Sequence, residues 1–314
     1  MLRYYRLRQG NDWNLVEPTA ANWLVLARPT EAERQSVIEE YDLPEELFVT
    51  RDETEKISRY EQIDSSKLGS AVILSLTNVT VNNKKSVEER LEPLILIWST
   101  NFVITYVGDN LEFVERFIDR YGSQATNTER LCAYVILMVY SGYIKELIEV
   151  KNTIDHLDQA ARRTTKNEEL FRLADTERNI VYLDHILRGQ KKTLNRWWHR
   201  TKFTSELDNA KLLYDIKLRQ AHAEELIVIY RDLLETVGGL FNDMMDNKLN
   251  NLMKYLNSVA LIISIPTLIA GVWGMNTGGL PGETTEIGFW SVIFLSVVAT
   301  ILMAWHLKRK DYTK

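Results

Sequence analysis

Eight positions near the C-terminus, Asn250, Met253, Asn257, Ala260, Ser264, Thr267, Gly271 and Gly274, recur at spacings of three and four, and all but Met253 are small or polar. On an α-helix this spacing gathers them into one stripe. The chemistry open to such groups is the holding of an ion or its waters, not the making of bonds. Gly274-Met275-Asn276 then closes the segment, and Asn276 sets one small carboxamide where the chain runs into the tight loop from Thr277 to Glu283. Two readings fit the stripe. Small residues line the packed interfaces of membrane helices, and polar groups on one face also suit a water-filled pore wall. Asn250 and Asn257 favour the pore, because carboxamides facing lipid are costly and packing needs only Gly, Ala or Ser. The other faces carry Leu252, Val259, Ile262, Ile263, Leu268 and Ile269, which suit lipid or a second helix. Pro266 leaves one backbone carbonyl free, a defect such helices tolerate.

The elements that must position this stripe are apolar and long. Leu256 to Trp273 is a run of 18 residues without a charged side chain, and Ile287 to Leu307 is a run of 21. About 20 apolar residues, at 1.5 Å each, cross a hydrocarbon core of about 30 Å. The sequence therefore predicts a first transmembrane helix over 251–275, an external loop over 276–286, a second transmembrane helix over 287–307 and a basic cytoplasmic tail over 308–314. Lys248, Lys254 and the tail from His306 to Lys310 flank the spans, whereas the loop holds only Glu283 and Glu286 as charged residues. The positive-inside rule then puts both ends of the chain in the cytoplasm. The first residues, Met1 to Arg8, hold neither an apolar signal core nor a small-residue cleavage site. Two spans cannot enclose a conduit, so a pore requires a homo-oligomer.

Upstream, residues 126–250 read as a helical cytoplasmic region ending in a stalk helix that starts near Lys211. Ala223, Leu226, Tyr230, Leu233, Val237, Leu240 and Met244 form a heptad seam along it. Gly142, Gly189 and Gly238-Gly239 are the expected interruptions of the helical pattern. Residues 1–125 read as an α/β domain. Its strands are expected at Leu2–Leu7, Trp23–Ala27, Lys56–Ile63, Ala71–Val79, Leu94–Ser99 and Phe102–Val107. Its helices are expected at Thr30–Tyr41, with a Thr30/Glu33 capping box, and at Leu43–Val49. Asn82 to Ser86 reads as a solvated turn. The whole is an α+β membrane protein.

Composition excludes several functions. The net charge of −5 carries no basic footprint for nucleic acid. Cys132 is the sole cysteine and lies in the apolar run Leu131 to Tyr140, too short to span a bilayer and suited to a core helix. Asp155-His156 and Asp184-His185 lack the tight spacing of a zinc motif. Lys191 to Lys202 mixes bases with Trp197 and Trp198, which reads as a helix with two packed indoles and a solvated basic face. No phosphate loop, HExxH or nucleophile elbow is present, so neither catalysis nor a bound cofactor is expected.

Gly274-Met275-Asn276 at the end of the first of two C-terminal spans, with a short acidic loop and a basic tail, resembles the CorA-type divalent-cation transporters. The likeness continues through Glu235-Thr236-Val237, Leu249-Asn250, Leu252 to Leu256 and Pro266 to Gly271, and more weakly at Leu43-Pro44 and Arg59-Tyr60-Glu61. The resemblance implies a homopentameric funnel in the cell membrane, with the tripeptide as selectivity filter. It implies pore-lining roles for Asn250, Met253, Leu256, Thr267 and Asn276. Leu256 lies beside the stripe residue Asn257, and which of the two faces the pore is open. Ser264 departs from the bulky apolar residue often found there in the family. Five Asn276 carboxamides would hold hydrated Mg²⁺ through its waters, since that ion dehydrates reluctantly. Glu283 and Glu286 would concentrate cations, and rings of Met253 and Leu256 could gate by dewetting. The loop from Gly278 to Gly282 resembles the ZntB zinc-transporter branch, although Met275 is often absent there. The expected cargo is Mg²⁺, with Co²⁺ and Ni²⁺, and Zn²⁺ is the alternative.

Overall fold

A computed structural model describes residues 1–7, 15–45, 47–48, 58–80, 87–108, 110–163, 166–275, 279, 282 and 285–309. Six strands form one sheet: β1 (Leu2–Tyr5), β2 (Trp23–Leu26), β3 (Arg59–Ser65), β4 (Gly69–Val79), β5 (Leu91–Trp98) and β6 (Val103–Tyr106). Among the described residues seven α-helices accompany it: α1 (Glu31–Tyr41), α2 (Leu111–Tyr121), α3 (Thr128–Ala161), α4 (Asn167–Arg200), α5 (Phe203–Glu206), α6 (Ala210–Trp273) and α7 (Glu286–Arg309). The chain divides into two compact units, one of residues 1–158 with 168–237 and one of residues 159–167 with 238–314.

In the first unit the sheet runs in the order β1-β2-β6-β5-β4-β3. Every neighbouring pair is antiparallel except β2 with β6. All nine residues from Ala71 to Val79 in β4 are buried, because both faces of the sheet are covered. On one face Ile73, Ile95, Ile97 and Ile104 pack under Val37, Ile38 and Tyr41 of α1. On the other, Trp23 meets Phe117 of α2 edge-on at 5.6 Å, and Tyr143 of α3 donates to the Thr77 carbonyl at 2.7 Å. Buried indoles need a partner for their N–H, and that of Trp23 donates to Thr105 Oγ1 at 2.9 Å.

Helix α1 begins as expected. Glu33 N–H donates to Thr30 Oγ1 at 3.2 Å, and Thr30 N–H donates to Glu33 Oε2 at 2.8 Å. The helix expected over Leu43–Val49 does not form among its described residues. Asp42 ends α1 in the left-handed region at φ 52°, and Leu47 N–H closes a turn on Pro44. A proline disfavours helical backbone in the residue before it. Helix α2 was not expected from the sequence, although Asn110 Oδ1 caps it by accepting from Phe113 N–H at 3.1 Å. Lys56 and the turn from Asn82 to Ser86 lie outside the described residues.

The expected interruptions at Gly142 and Gly189 are also corrected, since α3 and α4 run through both. A helical glycine costs only about 1 kcal/mol relative to Ala, which 34-residue packed helices absorb. Helix α6 likewise continues through Gly238-Gly239 for 64 residues. Its buried seam in the first unit is Leu212, Ile216, Gln220, Ala223, Ile227, Tyr230, Leu234 and Val237. The expected seam was one residue out of phase in places, for Leu233 is 40% exposed.

Candidate functional site

Among the described residues three helices are long and apolar enough to cross a membrane, and burial separates them. The most apolar stretch of α3 is 61% buried within the chain, against 6% for those of α6 and α7. Helix α3 therefore belongs to a protein core, as the run Leu131 to Tyr140 suggested, while α6 and α7 present bare apolar surface. In water, bare surface on this scale has no cover, and lipid supplies it.

Within the second unit, α6 has two unlike sides. Ser258, Val259, Ile262, Ile265, Pro266, Ile269 and Trp273 are at least partly shielded by the chain. All eight stripe positions, Asn250, Met253, Asn257, Ala260, Ser264, Thr267, Gly271 and Gly274, are exposed. The small and polar groups thus fall on a side that the chain itself leaves open. Leu256 and Asn257 are both exposed, so burial does not choose between them. The hydroxyls of Ser264 and Thr267 donate to the carbonyls of Ala260 and Ile263, four residues back, at 2.7 and 2.8 Å. Pro266 has no N–H to continue the ladder at that level. Helix α6 ends at Trp273, after which Gly274 N–H still reaches Ala270 O at 2.9 Å and Met275 N–H reaches Val272 O at 3.3 Å.

Helix α7 is sided too. Gly288, Val292, Ser296, Ala299, Met303 and Leu307 recur at three and four and are the less exposed positions. Phe289, Trp290, Phe294, Ile301, Leu302 and Trp305 stand out, each 58% exposed or more. Indoles near both ends of a span sit at the membrane–water boundaries. Arg309 lies 5.7 Å from the Trp305 ring, and His306 and Lys308 share its turn. Glu286 opens α7 as an exposed residue, where its charge complements the positive end of the helix. Asn276 and Glu283 lie outside the described residues.

The other sequence features take structural roles. Among the described residues no group of three or more His, Cys, Asp and Glu side chains is placed to hold a metal ion. His156 meets Arg172 at 3.3 Å, and Asp184 pairs with Arg188 at 2.7 Å. Trp197 and Trp198 are buried, with ring centroids 4.1 and 5.6 Å from Phe203, and Lys192, Arg196, Arg200 and Lys202 face solvent. Cys132 is fully buried, and desolvation pushes its thiol well above the ordinary value, away from the reactive thiolate. Sequence reasoning missed the buried pair of Arg90 with Glu146, joined through the two terminal guanidinium nitrogens.

A family model described as CorA-like Mg2+ transporter protein matches residues 19–309. The chain is similar to the cobalt/magnesium transport protein CorA of Thermotoga maritima, with 23% identity over 227 residues. That match covers 70% of this chain and 64% of that protein, a little under two-thirds of its length. The complete structure of the CorA magnesium transporter from Methanocaldococcus jannaschii aligns with a TM-score of 0.76 at 16% identity. It covers 99% of this chain and 98% of that one, a likeness of fold. The zinc transport protein ZntB of Yersinia pseudotuberculosis is 31% identical over 81 residues, 26% of this chain and 23% of that protein.

Proposed function

The chain belongs to the CorA-like Mg2+ transporter family, and from that premise we propose that it passes divalent cations through a homopentameric pore walled by the stripe from Asn250 to Gly274. The family is one of transporters, not enzymes. The observation that carries the reading is the exposure of all eight stripe residues on a helix whose apolar surface is otherwise suited to lipid. A lone carboxamide such as Asn257 on that side needs water or a polar partner. Repetition of α6 around an axis supplies both.

In this reading Gly274-Met275-Asn276 forms the filter. Five Asn276 carboxamide oxygens accept hydrogen bonds from the waters of Mg²⁺, so the ion is recognised while still hydrated. Glu283 and Glu286 raise the local cation concentration before entry. Met253 and Leu256 ring the inner part of the path, where apolar side chains close it by excluding water. Asn250 lines the exit toward the cytoplasm, and Asn257 stands one turn above Met253. The basic residues around His306 to Arg309 keep both ends of the chain inside the cell. Exposed Leu218, Val228, Ile229 and Leu233 on α6 give the protomers apolar surface through which to assemble.

The cargo is Mg²⁺, with Co²⁺ and Ni²⁺. A zinc reading, possible also with proton coupling, draws on the glycine-rich loop and the partial likeness to ZntB. Flux into liposomes decides between these, run with Mg²⁺, Co²⁺, Ni²⁺ and Zn²⁺, with and without a pH gradient. Mg²⁺ entry that is lost in Asn276→Ala and indifferent to pH is expected. Equal failure of wild type and variant with every ion leaves only a membrane-anchored sensor or scaffold.

A further inference from the structure

A cavity of about 490 Å³ opens in the first unit between the end of β4, α2 and α3, a size that suits a small molecule. Of the charged groups on its wall, Arg90 and Glu146 pair with each other. Among the described residues, Arg116 and Arg120 of α2 and Lys145 of α3 form no ion pair, nor do Asp119 and Glu149. The two arginines are four residues apart and share one face of α2. Arg116 Nε donates to Glu112 O at 3.3 Å, and its terminal nitrogens have no partner among the described residues. The inner wall holds a buried polar group. Asn78 of β4 is 6% exposed, and among the described residues its carboxamide makes no hydrogen bond. A buried amide without a partner costs free energy, and an apolar side chain would cost less there. Gly142 of α3 stands opposite, where a Cβ would lie 3.8 Å from Asn78 Oδ1. Glycine at 142 runs against helix propensity and leaves that oxygen open to the cavity. Phe113 and Met138 add apolar surface to the same space.

We propose that this cavity binds a small phosphate monoester bearing hydroxyl groups, with Arg116, Arg120 and Lys145 on its phosphate and Asn78 at its inner end. Guanidinium groups match phosphate oxygens in pairs, and an ammonium adds a compact charge. A bare anion would meet Asp119 and Glu149 on the same wall, and like charges repel. Hydroxyl groups turn these carboxylates to use, since an ionised carboxylate only accepts and a hydroxyl donates to it. The Asn78 carboxamide both donates and accepts, so it suits a hydroxyl or the edge of a ring. Phe113 and Met138 then cover the carbon body. Every residue involved lies in the first unit, within residues 1–158, so binding stands or falls apart from transport.

The test is isothermal titration calorimetry and thermal unfolding of the full-length solubilised protein, in buffer freed of divalent cations, which would themselves bind phosphate. The probes are adenosine monophosphate, glycerol phosphate, adenosine and inorganic phosphate. Saturable binding of at least one of the two esters below about 10 mM is expected, with a melting temperature that rises with its concentration. Inorganic phosphate should bind about tenfold more weakly or worse, and adenosine should not saturate in that range. Arg116→Gln and Lys145→Gln should each weaken the ester about tenfold. Asn78→Leu should weaken it as well, while the ligand-free melting temperature holds or rises, because an apolar side chain replaces an unpartnered amide. If Asn78→Leu fails to fold, the two charge variants carry the comparison. No saturable binding of either ester overturns the site, as does affinity unchanged in both charge variants. Inorganic phosphate bound as tightly as the esters means an adventitious ion only and overturns it too. A lower ligand-free melting temperature with unchanged affinity in Asn78→Leu makes that residue structural and removes it from the site.

Discussion

Glu146→Gln should destabilise the first unit by several kcal/mol, and the magnitude can be worked from the pair it breaks. Arg90 and Glu146 have side chains only 9% and 11% exposed. Both guanidinium ends bond the carboxylate, and the Arg90 Nε already lacks a partner. Neutralising one member leaves the other charge largely buried and unpaired, which costs about 3–5 kcal/mol. For a domain of 150–250 residues about 1 kcal/mol moves the melting temperature by roughly 2–4 °C, so a drop of about 6–20 °C follows. The assay is thermal unfolding of the solubilised full-length protein by tryptophan fluorescence at a fixed scan rate, since Trp23, Trp98, Trp197 and Trp198 are buried in this unit. The double variant Arg90→Met with Glu146→Leu should recover most of the loss, because an apolar pair of similar volume replaces a buried ion pair at little cost. A shift of less than about 2 °C for Glu146→Gln, or a double variant as unstable as the single, refutes the argument.

Two further outcomes follow from the helix that carries the stripe. Ser264→Leu sets five isobutyl groups at one level of the proposed pore and should cut Mg²⁺ flux about tenfold or more by dewetting. Ser264→Thr keeps the hydroxyl and should leave flux near wild type, both measured in liposomes. Gly239→Ala places a methyl group where nothing lies within 4 Å and should gain about 1 kcal/mol of helix propensity. The melting temperature of the solubilised protein should then rise, and a fall would mean that this glycine serves a contact outside the single chain.

The parts of this molecule legible from sequence are those with one dominant local cause. The residues of the polar stripe could be picked out because no charged side chain interrupts residues 256–273, and their role as a pore wall is a proposal. The capping box at Thr30 and Glu33 is local chemistry and formed as expected. The stalk seam slipped in phase because apolar residues adjoin one another at Ile227-Val228-Ile229 and Leu233-Leu234, so more than one face satisfies a heptad. Tertiary packing then chose Ile227 and Leu234 over their neighbours. The segment expected to be helical from Leu43 closes only a turn, from Leu47 N–H back to Pro44 O, among its described residues. The pairing of Arg90 with Glu146 joins residues 56 positions apart, and no periodicity within either segment points to the other.

For the proposed pore, the back-bonded hydroxyls of α6 carry a consequence for the sign of the ion. Ser264 and Thr267 each direct their one proton to their own helix, toward Ala260 and Ile263. What remains for anything beside them is lone pairs alone. Water turns its hydrogens toward such oxygens, and a hydrated cation already presents its waters hydrogens-outward. An anion presents the opposite polarity and finds no hydroxyl donor at these two levels. If the stripe walls the pore as proposed, discrimination by sign would be built into its middle by neutral groups, with no buried charge to desolvate.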